Sequence, residues 1–318
     1  MTEMLYTMSI ALPITLSCLG TSIGQGFIGK KTLKAVDLQP QASPEINKIS
    51  LVGMTLTETS AILGFVISIL LFLDTTVPVN VYYATMGRIG IGIAVGLSGF
   101  IAGVSSSLPA QAACISVARQ PFFSNKILQL MLLTQTVIMT SNIFGFLIAL
   151  LINTKVSTAA DLNSGLQLLA AGISIGFGSI GPCIGLSLFT YSACIAIGVN
   201  RKSYGKILPF TFIGEAIIET PALFSLIISL LILNMTMTSP DGSVLKGIAC
   251  LASAICIGLS SIGTGIGTGR TGSAACLEIG RDPENYSMIS KVGLIALAMI
   301  DTCAIYGFII SMMLIFTI

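Results

Sequence analysis

The sequence predicts an all-α membrane protein whose eight transmembrane helices form four tandem helical hairpins, together one segment of a ring. Three observations lead there. Apolar residues make up 54% of the chain and charged residues 9%, with a mean hydropathy of +0.96, outside the range of soluble domains. Eight continuous apolar runs each exceed the ~20 residues that cross a bilayer. One frame also recurs at steps of 81, 80 and 82 residues: Glu58 in TETSAILGF, Met139 in IMTSNIFGF, Glu219 in IETPALFSL and Asp301 in IDTCAIYGF.

The runs cover residues 6–29, 49–73, 89–117, 127–153, 165–197, 207–234, 247–276 and 288–317. Because they are continuous rather than alternating, each satisfies its own backbone as a helix and not as a barrel strand. The first run has Glu3 and no basic residue ahead of it and is too long for a signal-peptide core, so it is expected to remain in the mature chain. The hairpins are placed at residues 1–80, 81–159, 160–240 and 241–318. Odd helices are dense in glycine, as at Gly20 and Gly24, Gly92 to Gly103, Gly172 to Gly185 and Gly263 to Gly269. Even helices hold the acids. Small residues four apart let membrane helices approach closely, so thin odd helices beside bulky even ones predict an arc with the odd helices on its inner wall. Several chains would then close the ring.

Charge sets the orientation. Of the 15 basic residues, only Arg88, Lys155 and Lys246 flank the connections after even helices or the termini, and the rest cluster at the turns after helices 1, 3, 5 and 7. Those four turns are therefore expected in the cytoplasm, with both termini on the extracytoplasmic side. The net charge of +2 follows from this topology and gives no reason to expect nucleic acid. With no histidine in the chain, imidazole ligands and histidine acid–base chemistry are excluded. The eight cysteines lie in or at the ends of apolar helices without C-x-x-C spacing, as small packing residues do. Formal G-x-G-x-x-G matches at Gly24 and Gly267 fall inside spanning helices, not after a strand, so no dinucleotide or other cofactor is expected.

An acid at the centre of a spanning helix costs about 2.5–3.5 kcal/mol on insertion scales, which makes Glu58, Glu219 and Asp301 functional candidates. Apart from Arg270 and Lys291 near the last turn, no basic residue lies within the runs to pair with them. A carboxylate facing lipid must be neutralised by a proton or a cation, and reversible neutralisation is what ion carriage requires. Thr59, Thr220 and Thr302 each follow an acid directly and could offer it a hydroxyl. Gln25 in helix 1 carries an amide that needs a partner in a glycine-rich span; its oxygen is either a ligand for a hard cation or part of a structural hydrogen bond. Glu215 lies one helical turn before Glu219; it either shares a proton with that acid or is solvated near the cytoplasmic end. Gln135 fills the frame of Glu215 in hairpin 2, where Met139 replaces the acid and removes that hairpin's capacity to carry an ion.

These residues resemble the proteolipid family, the c or K subunits of the membrane rotor ring of V-type and related rotary ATPases, in a fused four-hairpin form. The resemblance covers essentially the whole chain and rests on GQGFIGKKTLKAV, KISLVGMTLTETSAILGFVISILLFL, ARQPFFSNKILQLMLLTQ, YGKILPFTFIGEAIIET, GIGTG, GRDPENYSMI and IDTCAIYGFII. It implies that Glu58, Glu219 and Asp301 carry Na+ or H+, and that ATP turnover elsewhere in the assembly turns the ring, the chain itself binding no nucleotide. It further implies copies of this chain or another proteolipid in the ring, and a static membrane partner with two half-channels. Central-stalk subunits would meet the polar turns at Gln39 and Pro40, at Arg119, Gln120 and Pro121, at Arg201 and Lys202, and at Arg281, Asp282 and Pro283. Gln25, Glu58 and Thr59 resemble the sodium-binding pattern, whereas Leu186 and Thr268 take the place of Gln25 in hairpins 3 and 4. The rival reading is a self-contained transporter or channel built from repeats. Such proteins have inverted repeats and broken helices, whereas these four repeats share one orientation.

Overall fold

The structure, a computed structural model, describes residues 2–76, 78–236 and 244–317. Among them are eight helices long and apolar enough to span a membrane, in four consecutive pairs. They are α1 (Thr2–Leu38), α2 (Ser43–Leu73), α3 (Val81–Arg119), α4 (Ser124–Val156), α5 (Leu162–Val199), α6 (Tyr204–Asn234), α7 (Leu245–Arg281) and α8 (Tyr286–Phe316). The expected boundary between hairpins 3 and 4, near residue 240, lies outside the described residues.

Within each pair the turn is one short 3-10 segment: Pro40–Ala42, Pro121–Phe123, Arg201–Ser203 and Pro283–Asn285. Proline at the first position supplies a fixed φ and gives up only an N–H that would be unbonded there. At the third turn Asn200 does the same work by capping, its side chain accepting from Lys202 N at 3.1 Å.

The odd helices stand in one row, α1 on α3, α3 on α5 and α5 on α7; α2, α4 and α6 each pack against their own odd partner and the next one along, and α8 packs against α7 and α6. Glycine permits the row. A methyl at Gly24 would overlap the carbonyl of Gly103, one at Gly172 that of Gly90, and one at Gly185 that of Gly265. Backbones at this spacing leave space only for hydrogen on the facing Cα atoms, and serine hydroxyls supply cross-links: Ser17 Oγ donates to Val95 O and Ser116 Oγ to Cys194 O, at 3.3 and 2.8 Å.

Two odd helices are irregular in ways the hydrophobic pattern did not announce. A π segment, Gly92–Leu97, interrupts α3, and α5 breaks at Ser179. Pro182 follows that break and has no N–H for the carbonyl of Gly178, which accounts for the interruption. The apolar core falls into two clusters. One, around Ile46, Phe189 and Phe210, lies toward the turns; the other, around Ile67, Leu168 and Ile232, lies toward the far ends. A layer of buried Ser60, Ser98, Ser141, Asn142, Ser225 and Ser261 separates them, and the recurring acids stand at that level.

At the far end Arg88 of α3 is 1% exposed. Its guanidinium bonds Asp74 at 3.1 Å and lies 4.0 Å over the ring of Tyr6. This ties the α2–α3 connection to α1 through one buried cation.

Candidate ion-binding site

The sites are built where an even helix meets the preceding even helix. In α6, Pro221 cannot donate to the carbonyl of Ile217, four residues back. Thr220 supplies the missing donor, its Oγ1 lying 2.7 Å from Ile217 O. The same hydroxyl sits 2.8 Å from Oδ2 of Asp301 in α8. One pair earlier, Thr140 Oγ1 of α4 lies 2.6 Å from Val137 O and 2.5 Å from Oε1 of Glu219 in α6. Each hydroxyl has one proton and two lone pairs. It can donate to its own helix carbonyl while accepting from a protonated acid, or turn that proton onto an ionised one. Both acids are half-buried, and Asp301 Oδ1 has no partner among the described residues.

This pairing corrects the expectation that each threonine serves the acid it follows. Thr220 serves Asp301, and Glu219 takes its hydrogen bond from Thr140, a residue the sequence did not single out because Met139 beside it is not an acid. The TS in IMTSNIFGF was the available signal, being the same hydroxyl one position after the frame. Thr59 and Thr302 bond only their own helix, at Leu56 O and Met299 O, each at 2.7 Å.

Hairpin 1 also departs from expectation. Glu58 is exposed on α2 and its carboxylate takes no hydrogen bond among the described residues. The Gln25 amide donates to Met54 O at 3.3 Å, one turn away along α2, so Gln25, Glu58 and Thr59 are not joined by hydrogen bonds into a cation set. Met139, 6% exposed, packs where hairpin 2 would hold its acid, and Ser60 Oγ donates to its sulfur at 3.4 Å. An apolar cleft of about 380 Å³ opens there between α2 and α4, lined by Thr59, Ile62, Met139 and Ile143.

Glu215 is 2% exposed, which removes the solvated alternative. It is packed among Leu130, Thr134, Leu208 and Thr211, and neither carboxyl oxygen has a partner among the described residues. Gln135, in the same frame one pair earlier, donates to Gly53 O and Ser106 O at 3.2 and 2.8 Å. An amide at this level thus clips three helices together. A buried acid with no donor facing it is most readily held neutral.

The turns form a polar edge. Gln120 Nε2 donates to Gly198 O at 2.9 Å and Lys206 Nζ to Pro283 O at 2.5 Å, stitching neighbouring turns. Arg119, Gln120, Pro121, Arg201 and Lys202 line a groove of about 470 Å³, with Phe122 fully exposed beside it. Gln39 and Pro40 make the first turn, where Ala42 N donates to Gln39 O at 3.1 Å. In the last, Asp282 caps Glu284 N at 3.1 Å and Arg281 pairs with Glu278 at 2.8 Å.

Comparison with known proteins adds an independent line. The model of the ATP synthase C-subunit family matches residues 8–71, 89–152, 169–232 and 251–314, one match to each helix pair. The K subunit of the A-type ATP synthase of Methanocaldococcus jannaschii is 27% identical over 229 residues, 72% of this chain and 95% of that protein. The ATP synthase c-subunits of Chloroflexus aurantiacus and Dehalococcoides mccartyi are each 38% identical over 68 residues, 21% of this chain and 90% of theirs.

Proposed function

The chain belongs to the ATP synthase C-subunit family, and from that premise we propose that it is a rotor-ring proteolipid in which Glu58, Glu219 and Asp301 carry H+ or Na+ through the membrane. The observation that carries this reading is the recurrence, in register, of a half-buried acid against a threonine hydroxyl of the preceding even helix. Lipid faces the outer row, so an acid there crosses the bilayer only when neutral. An ion enters from one half-channel of a static membrane partner, neutralises the acid, rides with the ring and leaves through a second half-channel. ATP turnover in the attached catalytic part drives the rotation, and the proteolipid itself supplies no catalytic group.

One hydroxyl per carboxylate suffices for a proton, whereas a stripped hard cation takes several oxygens. The arrangement at Glu219 and Asp301 therefore favours H+. Gln25 keeps Na+ as the second reading for hairpin 1, its Oε1 accepting no hydrogen bond among the described residues. Hairpin 2 moves nothing, so three ions pass per chain per revolution. The basic turns face the cytoplasm and the central stalk, and the groove beside Phe122 offers a docking position along that edge.

Glu219→Gln in the assembled complex tests the reading. Coupled ion transport is expected to fall to background while the ring still assembles. A complex that transports normally, or one that no longer assembles, would contradict ion carriage by this acid.

A further inference from the structure

One buried acid takes no part in carriage by Glu58, Glu219 and Asp301. Glu215 stands on α6 one turn nearer the Arg201–Ser203 segment than Glu219 and is 2% exposed, and no donor reaches either of its carboxyl oxygens among the described residues. Its frame is held by Met54 in α2, Gln135 in α4 and Leu297 in α8. Gln135 bonds two carbonyls there and Leu297 is fully buried, so an amide and an alkyl side chain both satisfy this position. An unpaired carboxyl packs less favourably than either. What it offers and they lack is an exchangeable proton.

The gap that holds Glu215 lies between α4 and α6. Leu130 and Leu208 close it toward the turns, Thr134 and Thr211 are buried in its walls, and Phe212, 46% exposed, marks its outer edge. The two hydroxyls donate to their own helices, Thr134 to Met131 O at 3.0 Å and Thr211 to Ile207 O at 2.8 Å, and keep lone pairs that accept. Among the described residues, the titratable groups around Glu215 are Glu219 on α6, the Cys194 thiol on α5 and the Cys276 thiol on α7, while α4 presents Leu130, Leu133 and Thr134. None is a cation that holds it ionised. Residues four apart on a helix have Cβ atoms about 5–6 Å apart, so side-chain rotation alone brings the two carboxyls of α6 together.

Resting on the rotor-ring reading above, we infer that Glu215 is a proton relay for Glu219 on the cytoplasmic side. Its O–H proton passes to the ionised Glu219 carboxylate, one O–H bond breaking as the other forms. Glu215 is then refilled by a proton from hydronium in the cytoplasmic half-channel of the static partner, which meets the gap at Phe212. Run backwards, the same steps unload Glu219. The device belongs to hairpin 3, because Met54, Gln135 and Leu297 have no titratable proton to pass on.

The test uses the complete complex in vesicles, with ATP-driven proton uptake measured across the pH of the nucleotide side. Glu215→Gln is expected to slow initial uptake about tenfold or more, most at high pH where hydronium is scarce, while the ring assembles and Glu219 still reacts with a carbodiimide. Glu215→Asp keeps the proton on a shorter side chain and is expected to retain most of the rate. A purely structural side chain predicts the reverse order, since glutamine fits the frame better than aspartate. Wild-type uptake in Glu215→Gln with an unchanged pH profile overturns the relay, as does an equal loss in both variants. Glu219→Gln, measured alongside, separates the two claims: normal uptake there overturns the proposed function, whereas no uptake there beside a wild-type rate in Glu215→Gln overturns the relay alone.

Discussion

At the scale of single residues, Glu219 and Asp301 are each bonded by a hydroxyl some eighty positions earlier. Thr220 stands next to Glu219 in sequence but 2.8 Å from Asp301 in space. Thr220→Val should therefore disturb Asp301 and spare Glu219. A hydrogen bond to a charged group contributes about 1.5–3 kcal/mol, so the ion concentration that half-protects Asp301 should move by roughly tenfold or more. Site-resolved carboxyl labelling read by mass spectrometry checks this, and an effect on Glu219 in its place would restore pairing with the adjacent acid. Glu215→Gln should be accommodated, because Gln135 already fills that frame with two carbonyl bonds. An equal or higher unfolding temperature is expected, and a marked fall would show that the carboxyl has a partner of its own. The three acids proposed as carriers stood out in sequence because a charge in an apolar run has no cheap explanation. Their partners did not, since adjacency in a helix and adjacency between repeats offer the same residue two different acids.

Among the helices, glycine decides which surfaces touch. Gly185→Val places a branched side chain on the carbonyl of Gly265, where neither backbone can yield, and should cost roughly 3 kcal/mol on unfolding in detergent. The same change at Gly263 should leave a single chain nearly unaffected, because its face is open. Equal losses at both positions would contradict the assignment of buried and open edges. The glycine spacing was readable from the sequence, and so was the order of helices. The π segment at Gly92–Leu97 was not, because hydrophobic periodicity cannot register one extra residue within a turn. The tie between Asp74 and Arg88 also escaped notice, its two members lying on either side of a short connection. Burial raises the Asp74 carboxyl, but the Thr76 hydrogen bonds and the Arg88 charge outweigh it and hold the group below its ordinary value. A depressed acid stabilises the fold above its unfolded pKa and stops doing so as pH falls through the folded one. Stability from this tie should therefore be constant at neutral pH and lost below about pH 4. Asp74→Asn should remove that acid sensitivity and cost about 3 kcal/mol by leaving Arg88 buried without its counter-charge. An unfolding curve that keeps its acid limb in the variant would count against it.

For the molecule as a whole, four units of one design give four inner helices in a row and three acids on the outer face, with two apolar clusters above and below the polar layer. Repetition at a fixed period made the architecture legible from sequence, since one hairpin's pattern constrained the other three. What repetition concealed was direction: four equivalent units look alike whether each serves itself or its neighbour, and only the geometry at Thr140 and Thr220 separates the two. The central claim, that these acids exchange an ion, is tested most directly by treating the purified complex with a carboxyl-reactive carbodiimide across pH, with and without sodium, and locating the adducts by mass spectrometry. Such a reagent attacks the protonated acid. Labelling at Glu58, Glu219 and Asp301 that follows pH alone is the predicted result; protection by sodium at Glu58 would in its place assign Na+ to that site. Absence of labelling at all three, under conditions where other carboxyls react, would contradict ion carriage.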